Sequence, residues 1–148
     1  MKNFKILCTL AAAVFLSACG SSVDISKPEL AVAAYWESLA TDNVDQFLKV
    51  MGDPKTGAPL DAQSQNYFKE QFPDMAKRYT GKIKTITITE VKYDEAKTSA
   101  RVRVVLDDFD GESSKRRILA VKSGEEWHLQ GAQGIDERSE AVRRFLGL

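Results

Sequence analysis

Ser99-Ala100-Arg101-Val102-Arg103-Val104-Val105-Leu106 places Ala100, Val102, Val104 and Leu106 on one side of an extended chain and Ser99, Arg101, Arg103 and Val105 on the other. That period of two is the mark of a strand with one dry face and one wet face. Something apolar must cover the dry face. Upstream, residues 82–93 are rich in β-branched side chains, but their phase shifts: Ile86 and Ile88 share one face, while Ile83, Val91 and Tyr93 share the other. A bulge or sharp twist would reconcile them. Downstream, residues 107–112 form an acidic turn around Gly111, and 115–122 the next strand, with Leu119 and Val121 expected inward. Ser123-Gly124-Glu125 makes a tight hairpin into a last strand, residues 126–130, with Trp127 and Leu129 on one face and His128 and Gln130 on the other.

The cover comes from the region before Gly81, where the period is helical. Ser26-Lys27-Pro28-Glu29 reads as a helix start, with Ser26 as cap, Glu29 reciprocating, and Pro28 where a missing amide is harmless. Val32, Tyr35, Trp36 and Leu39 follow as one stripe. Asp42 is expected to cap a second helix carrying Val44, Phe47, Leu48 and Met51, stopped by Gly52. Pro54, Gly57 and Pro59 mark residues 53–60 as a loop. A third helical stretch opens at Asp61 and places Phe68, Phe72, Met75, Ala76 and Tyr79 on one side, with Pro73 expected to interrupt or kink it. Helices followed by antiparallel strands imply an α+β domain, with N-terminal helices packed on a sheet of about four strands. From Asp136 the chain turns helical again, with Val142, Phe145 and Leu146 on one face, and a short C-terminal helix is expected.

The N-terminus carries an address. Lys2 and Lys5 precede about eleven nearly uniformly apolar residues, 6–16, the n-region and h-region of a secretory signal. As a helix this run would cover roughly 16 Å, against about 30 Å of hydrocarbon in a bilayer. Leu16-Ser17-Ala18-Cys19 resembles the lipobox of bacterial lipoproteins at every position. The resemblance implies removal of residues 1–18, lipidation of the Cys19 thiol with diacylglyceryl and further acylation (palmitate-type chains), and a membrane partner held through that anchor. Gly20, rather than an aspartate, follows the cysteine; by the same resemblance this points to the outer membrane, facing the periplasm. Residues 19–25 then form a lipidated tether and 26–148 a single domain. Cys8 leaves with the signal and Cys19 is consumed by lipid, so no thiol remains for disulfides, metal binding or catalysis.

Removal of residues 1–18 leaves 130 residues with 19 basic and 21 acidic side chains, a formal charge of −2, because Lys2 and Lys5 are the only charged residues lost. That size suits one core, and the charge gives no basic surplus for nucleic acid.

Residues Val32-Ala33-Ala34-Tyr35-Trp36-Glu37-Ser38-Leu39-Ala40, then 42–51, resemble the helix-turn-helix opening of small bacterial lipoproteins with an NTF2-like, cystatin-like cone, including the DUF4878 group. The hairpin Leu119-Ala120-Val121-Lys122-Ser123-Gly124-Glu125-Glu126-Trp127 is similar to that group's late hairpin with its inward tryptophan. The resemblance implies a curved sheet wrapped on a long helix with a pocket between them. It transfers no catalytic residue.

Tyr35, Trp36, Phe68, Tyr79 and Trp127 are the candidate pocket lining, with plain core as the competing role. His128, the single histidine, is expected to face solvent because it alternates with Trp127 and Leu129. The acids Asp107, Asp108, Asp110 and Glu112 lack the spacing of a calcium loop and read as a solvated turn. Lys115, Arg116 and Arg117 alternate faces and should not form one patch. With no catalytic constellation, metal motif or cofactor motif visible, the sequence favours a non-enzymatic, lipid-anchored envelope module that binds an envelope protein or another envelope component through its sheet edge, pocket mouth or C-terminal tail. A carrier of a small apolar ligand is the alternative, and an NTF2-like acid/base enzyme a third.

Overall fold

A computed structural model describes residues 22–130. The chain is already held before its first helix. Ile25 is buried, and its carbonyl accepts a hydrogen bond from the Trp127 amide at 2.8 Å. Val23 packs against the same core, so the tether expected over residues 19–25 gives way to fixed structure earlier than its composition suggests.

Helix α1, Pro28–Ala40, begins with Pro28 at its first position and Lys27 at the N-cap, and no side chain caps it. The expected Ser26 cap lies one residue too early; the Ser26 amide instead donates to Asp24 Oδ1 at 3.0 Å. Helix α2, Val44–Val50, is capped by Asn43, whose Oδ1 accepts from the Gln46 amide at 3.1 Å. Asp42, expected in that role, takes a φ of 56° in the turn between the helices, a left-handed conformation that aspartate tolerates better than most residues. Helix α3, Ala62–Ala76, is capped by Asp61 as expected, with Oδ1 accepting from Ser64 at 2.7 Å. It continues past Pro73 to Ala76 instead of stopping near Phe72. Pro73 and Lys69, whose carbonyl loses its helical partner to the proline, both lie on the exposed side.

Five strands form one open sheet in the order β1-β5-β4-β3-β2: β1 Met51–Gly52, β2 Ile83–Tyr93, β3 Ser99–Asp108, β4 Ser113–Ser123 and β5 Glu126–Gln130. Four are the expected antiparallel meander. The fifth is β1, where Met51 leaves the helical stripe and pairs in parallel with Leu129, and Gly52 with Gln130. Two register shifts in β2, between Ile83 and Thr85 and between Ile88 and Glu90, supply the expected bulges. Each adds one residue, so the spacing runs three, two, three and brings Ile83, Ile86, Ile88 and Val91 all against the core.

In β3 the buried residues are Ala100, Val102, Val104 and Leu106, as the alternation predicts. In β4 the phase is opposite to the expected one: Ile118 and Ala120 are buried, while Leu119 and Val121 lie on the other face. Pairing decides this, because Ala120 stands opposite Ala100 and Ile118 opposite Val102, and directly paired residues share a face. The helices cover that face, and α1 packs against β2, β3, β4 and β5. Among the described residues no helix is long and apolar enough to cross a membrane. The expected C-terminal helix lies outside the described residues.

The β4 phase can be read by mutation. Ile118→Ala should destabilise the domain by about 2–5 kcal/mol, the range for truncating a buried isoleucine, and Leu119→Ala by about 1 kcal/mol or less. Urea denaturation checks this, and a reversed order of the two losses would contradict the register.

Candidate functional site

The aromatic residues proposed as a pocket lining mostly fill the space they were expected to enclose. Tyr35 and Trp36 are 2% and 1% exposed, and their rings meet edge to face with centroids 5.0 Å apart. Trp36 meets Tyr79 at 5.3 Å and Tyr35 meets Phe47 at 5.8 Å. Phe47 in turn touches Phe72 at 4.9 Å and Phe68 at 6.2 Å. Four of the five expected residues therefore belong to one chain of packed rings, at separations where aromatic pairs attract beyond their buried area. Trp127 stands apart, against Tyr93 at 5.8 Å. Burial pushes the Tyr35 phenol well above its usual range, and the nearby Tyr79 adds to this. The Trp36 Nε1 is buried without a hydrogen-bond partner.

A concavity lies elsewhere, at the β1/β5 edge of the sheet. A cleft of about 310 Å³ opens between α2, the strap of residues 53–60, α3 and β5. Leu48, Met51, Pro59 and Leu60 form its apolar walls, and Asp45, Lys49, Gln65, Glu126 and His128 supply its polar groups. None of the five aromatic candidates lines it.

The polar side is built by α2 and β5 lying next to each other. Lys49 Nζ donates to both oxygens of Glu126, at 2.8 and 3.1 Å. Glu126 is held below the usual carboxylate range, first by the hydrogen bond from Lys49. Its Oε2 stands 3.5 Å from His128 Nε2, too long for a good hydrogen bond. Asp45, one turn before Lys49, is exposed at the rim.

His128 is on the face opposite Trp127 and Leu129, as expected, but it does not see solvent: it is only 2% exposed. The strap covers it. Asp53 accepts the Lys55 and Thr56 amides on Oδ1, its own amide donates to Ala58 O, and Gly52 bridges Pro59. Gln130 Nε2 then ties the strap to β5 by donating to Pro54 O and Lys55 O. Two glycines let it lie this close. A Cβ on Gly57, whose φ is 71°, would meet Val121 Cβ at 2.5 Å, and one on Gly52 would meet Gly57 O at 2.7 Å.

Both ring nitrogens of His128 are closed off from solvent and lack a hydrogen-bond partner. Burial pushes the imidazole below its ordinary value, against the upward pull of the Glu126 carboxylate. The cleft thus presents the carboxylate–ammonium pair of Glu126 and Lys49 beside the sealed imidazole of His128. Proton exchange between His128 and an occupant would require the strap to move. Single-strand alternation gave no sign of this burial; the paired breakers Gly52 and Gly57 were the available signal.

The acidic turn is self-contained. Asp108 Oδ1 accepts the Asp110 and Glu112 amides, and Asp107 accepts hydroxyl hydrogen bonds from Ser113 and Thr85.

Two outcomes follow from the strap. A histidine kept below its ordinary value stabilises fully only above pH about 6.5; as pH falls through that value the unfolded chain takes up a proton that the fold refuses, and stability drops. Urea midpoints should therefore decline from pH 7 to about 5, and His128→Gln should flatten the decline. Gly57→Ala should cost about 1–3 kcal/mol through the φ and the contact with Val121; an unchanged urea midpoint would mean the strap is not pressed on β4.

No protein-family model matches the chain, and no curated protein matches it. Its fold is similar to that of a Campylobacter jejuni protein provisionally described as an NTF2-like transpeptidase, with a TM-score of 0.56 and 12% identity over 70% of this chain and 96% of that one. At this identity the likeness speaks for architecture alone. The described residues form an NTF2-like α+β domain, with three helices against an open five-stranded sheet.

Proposed function

We propose that this chain is a lipid-anchored lipoprotein of the bacterial cell envelope, held through Cys19 in the outer membrane and facing the periplasm, whose NTF2-like domain is a non-enzymatic binding module for an envelope protein. The filled aromatic interior carries the reading: where the cone fold leaves room for a pocket, Tyr35, Trp36, Phe47, Phe68, Phe72 and Tyr79 pack on one another. Binding then falls to the exterior. Sealing of the His128 nitrogens argues in the same direction, because a general base must reach the proton it abstracts. The string Leu16-Ser17-Ala18-Cys19 supports the anchor, and two or three acyl chains suffice for stable attachment.

A second reading has its own observation. The cleft's apolar walls, Leu48, Met51, Pro59 and Leu60, suit a small apolar ligand and would make the domain a carrier.

Cys19→Ala should move the protein from the membrane to the soluble fraction; persistence on membranes would refute lipid as the anchor. Native mass spectrometry of gently purified protein separates the two binding readings. A bare mass, with cross-links to an envelope protein in cells, supports the module, and a reproducible small-molecule adduct supports the carrier.

A further inference from the structure

The outer face of the sheet gathers charge from three strands. Pairing aligns Lys92 with Arg101 and Leu119, Glu90 with Arg103 and Arg117, and Thr87 with Val105 and Lys115. These rows lie on the face turned away from the helices, since Ala100, Val102 and Val104 are buried on the other. Leaving aside Arg117, which has a partner of its own, four cations there stand against two carboxylates, Glu90 and, in the next row, Asp107. Arg103 Nε and Lys92 Nζ approach Glu90 at 3.1 and 3.2 Å and share its single charge. Arg101 and Lys115 are exposed, and neither side chain enters an ion pair among the described residues. Lys115 and Arg117 do alternate with Arg116 along β4, as the sequence predicts, yet Arg101, Arg103 and Lys92 on the neighbouring strands complete the patch that one strand cannot make.

We infer that this face docks on anionic lipid headgroups of the bilayer that holds the Cys19 lipid, an inference that rests on the proposed anchor. Charge complementarity is the first argument. A cationic face of net charge opposite to phosphate is attracted to an anionic bilayer, while the domain's overall balance gives no such pull. Position is the second. The anchor segment packs on the fold at Val23 and is bonded to Trp127 at Ile25; the Trp127 ring touches Tyr93 on the core face, and Lys92, the next residue, turns to the outer face at one end of the patch. Six residue steps from Cys19 to Ile25 reach at most about 20 Å, so the point where the chain joins the fold lies within that range of the bilayer surface, and the patch begins across the sheet from it.

The test uses the mature lipidated protein in lipid nanodiscs, read by broadening of backbone amide signals from a gadolinium-chelate lipid. In discs with about a third phosphatidylglycerol, broadening should concentrate on residues 101–105 and 115–119. It should fade in pure phosphatidylcholine discs, in salt near 0.5 M where the screening length is roughly 4 Å, and in the Arg101→Gln/Lys115→Gln variant, since each cation near the surface contributes about a fivefold bias. Broadening centred on α3 or the 108–112 turn, or independent of lipid charge, would overturn the inference. So would shielding of the patch from a water-soluble gadolinium chelate in both kinds of disc, which would mean another surface, such as residues 131–148, covers it. An intact mass without lipid would instead defeat the anchor reading, and is measured first.

Discussion

Five residues, Glu126–Gln130, make the contacts through which the two ends of this domain hold each other. Along β5 the Trp127 amide bonds Ile25 ahead of α1, Glu126 binds Lys49 of α2, Leu129 pairs with Met51, and Gln130 ties down the strap. Each contact joins segments at least 75 residues apart in sequence. Without β5 the helices would still have the β2–β4 meander to cover, but the N-terminal segment, β1 and the strap would lose their partners. A short strand is able to do this because it uses both faces and both edges: Trp127 and Leu129 enter the core, His128 enters the space under the strap, and β4 and β1 flank it.

This arrangement divides the molecule into a dry interior and a furnished edge. The interior is satisfied by rings packed on rings, and the polar atoms it leaves unpaired are few. The edge holds an ion pair, a buried imidazole and an apolar-walled cleft within one neighbourhood. Lys49 and Glu126 are each nearly half exposed, so their pair adds little stability. Its effect is to fix α2 against β5 and so set the width of the cleft.

Much of the architecture was written in local pattern. The alternation from Ala100 to Leu106 needed no tertiary information, and the three-two-three spacing of Ile83, Ile86, Ile88 and Val91 announced its bulges because a strand cannot otherwise face all four inward. The misreadings of which face a residue takes share one cause, which is that a neighbour decided. Leu119 and Ile118 are equally plausible inward residues until Val102 stands opposite one of them. Met51 fits a helical stripe until Leu129 offers it a parallel partner. His128 alternates outward, and only a loop 70 residues earlier, made thin by Gly57, turns outward into buried. Four of the aromatic candidates, Tyr35, Trp36, Phe68 and Tyr79, meet in one chain of rings and Trp127 stands apart, and one sequence cannot distinguish rings lining a void from rings filling it. The site at the sheet edge was the least legible part, since its members come from four separate segments.

The late position of β5 also sets the order in which the molecule can be completed. A chain emerging in the N-to-C direction presents α1, α2 and the strap long before the residues that anchor them exist, so those segments wait as loosely held apolar helices until residue 130 is free. Closing such distant contacts is slow relative to local pairing, and the meander can assemble first. A chain of this design stays pliable through most of its synthesis and becomes rigid only once residue 130 is available to close the distant contacts.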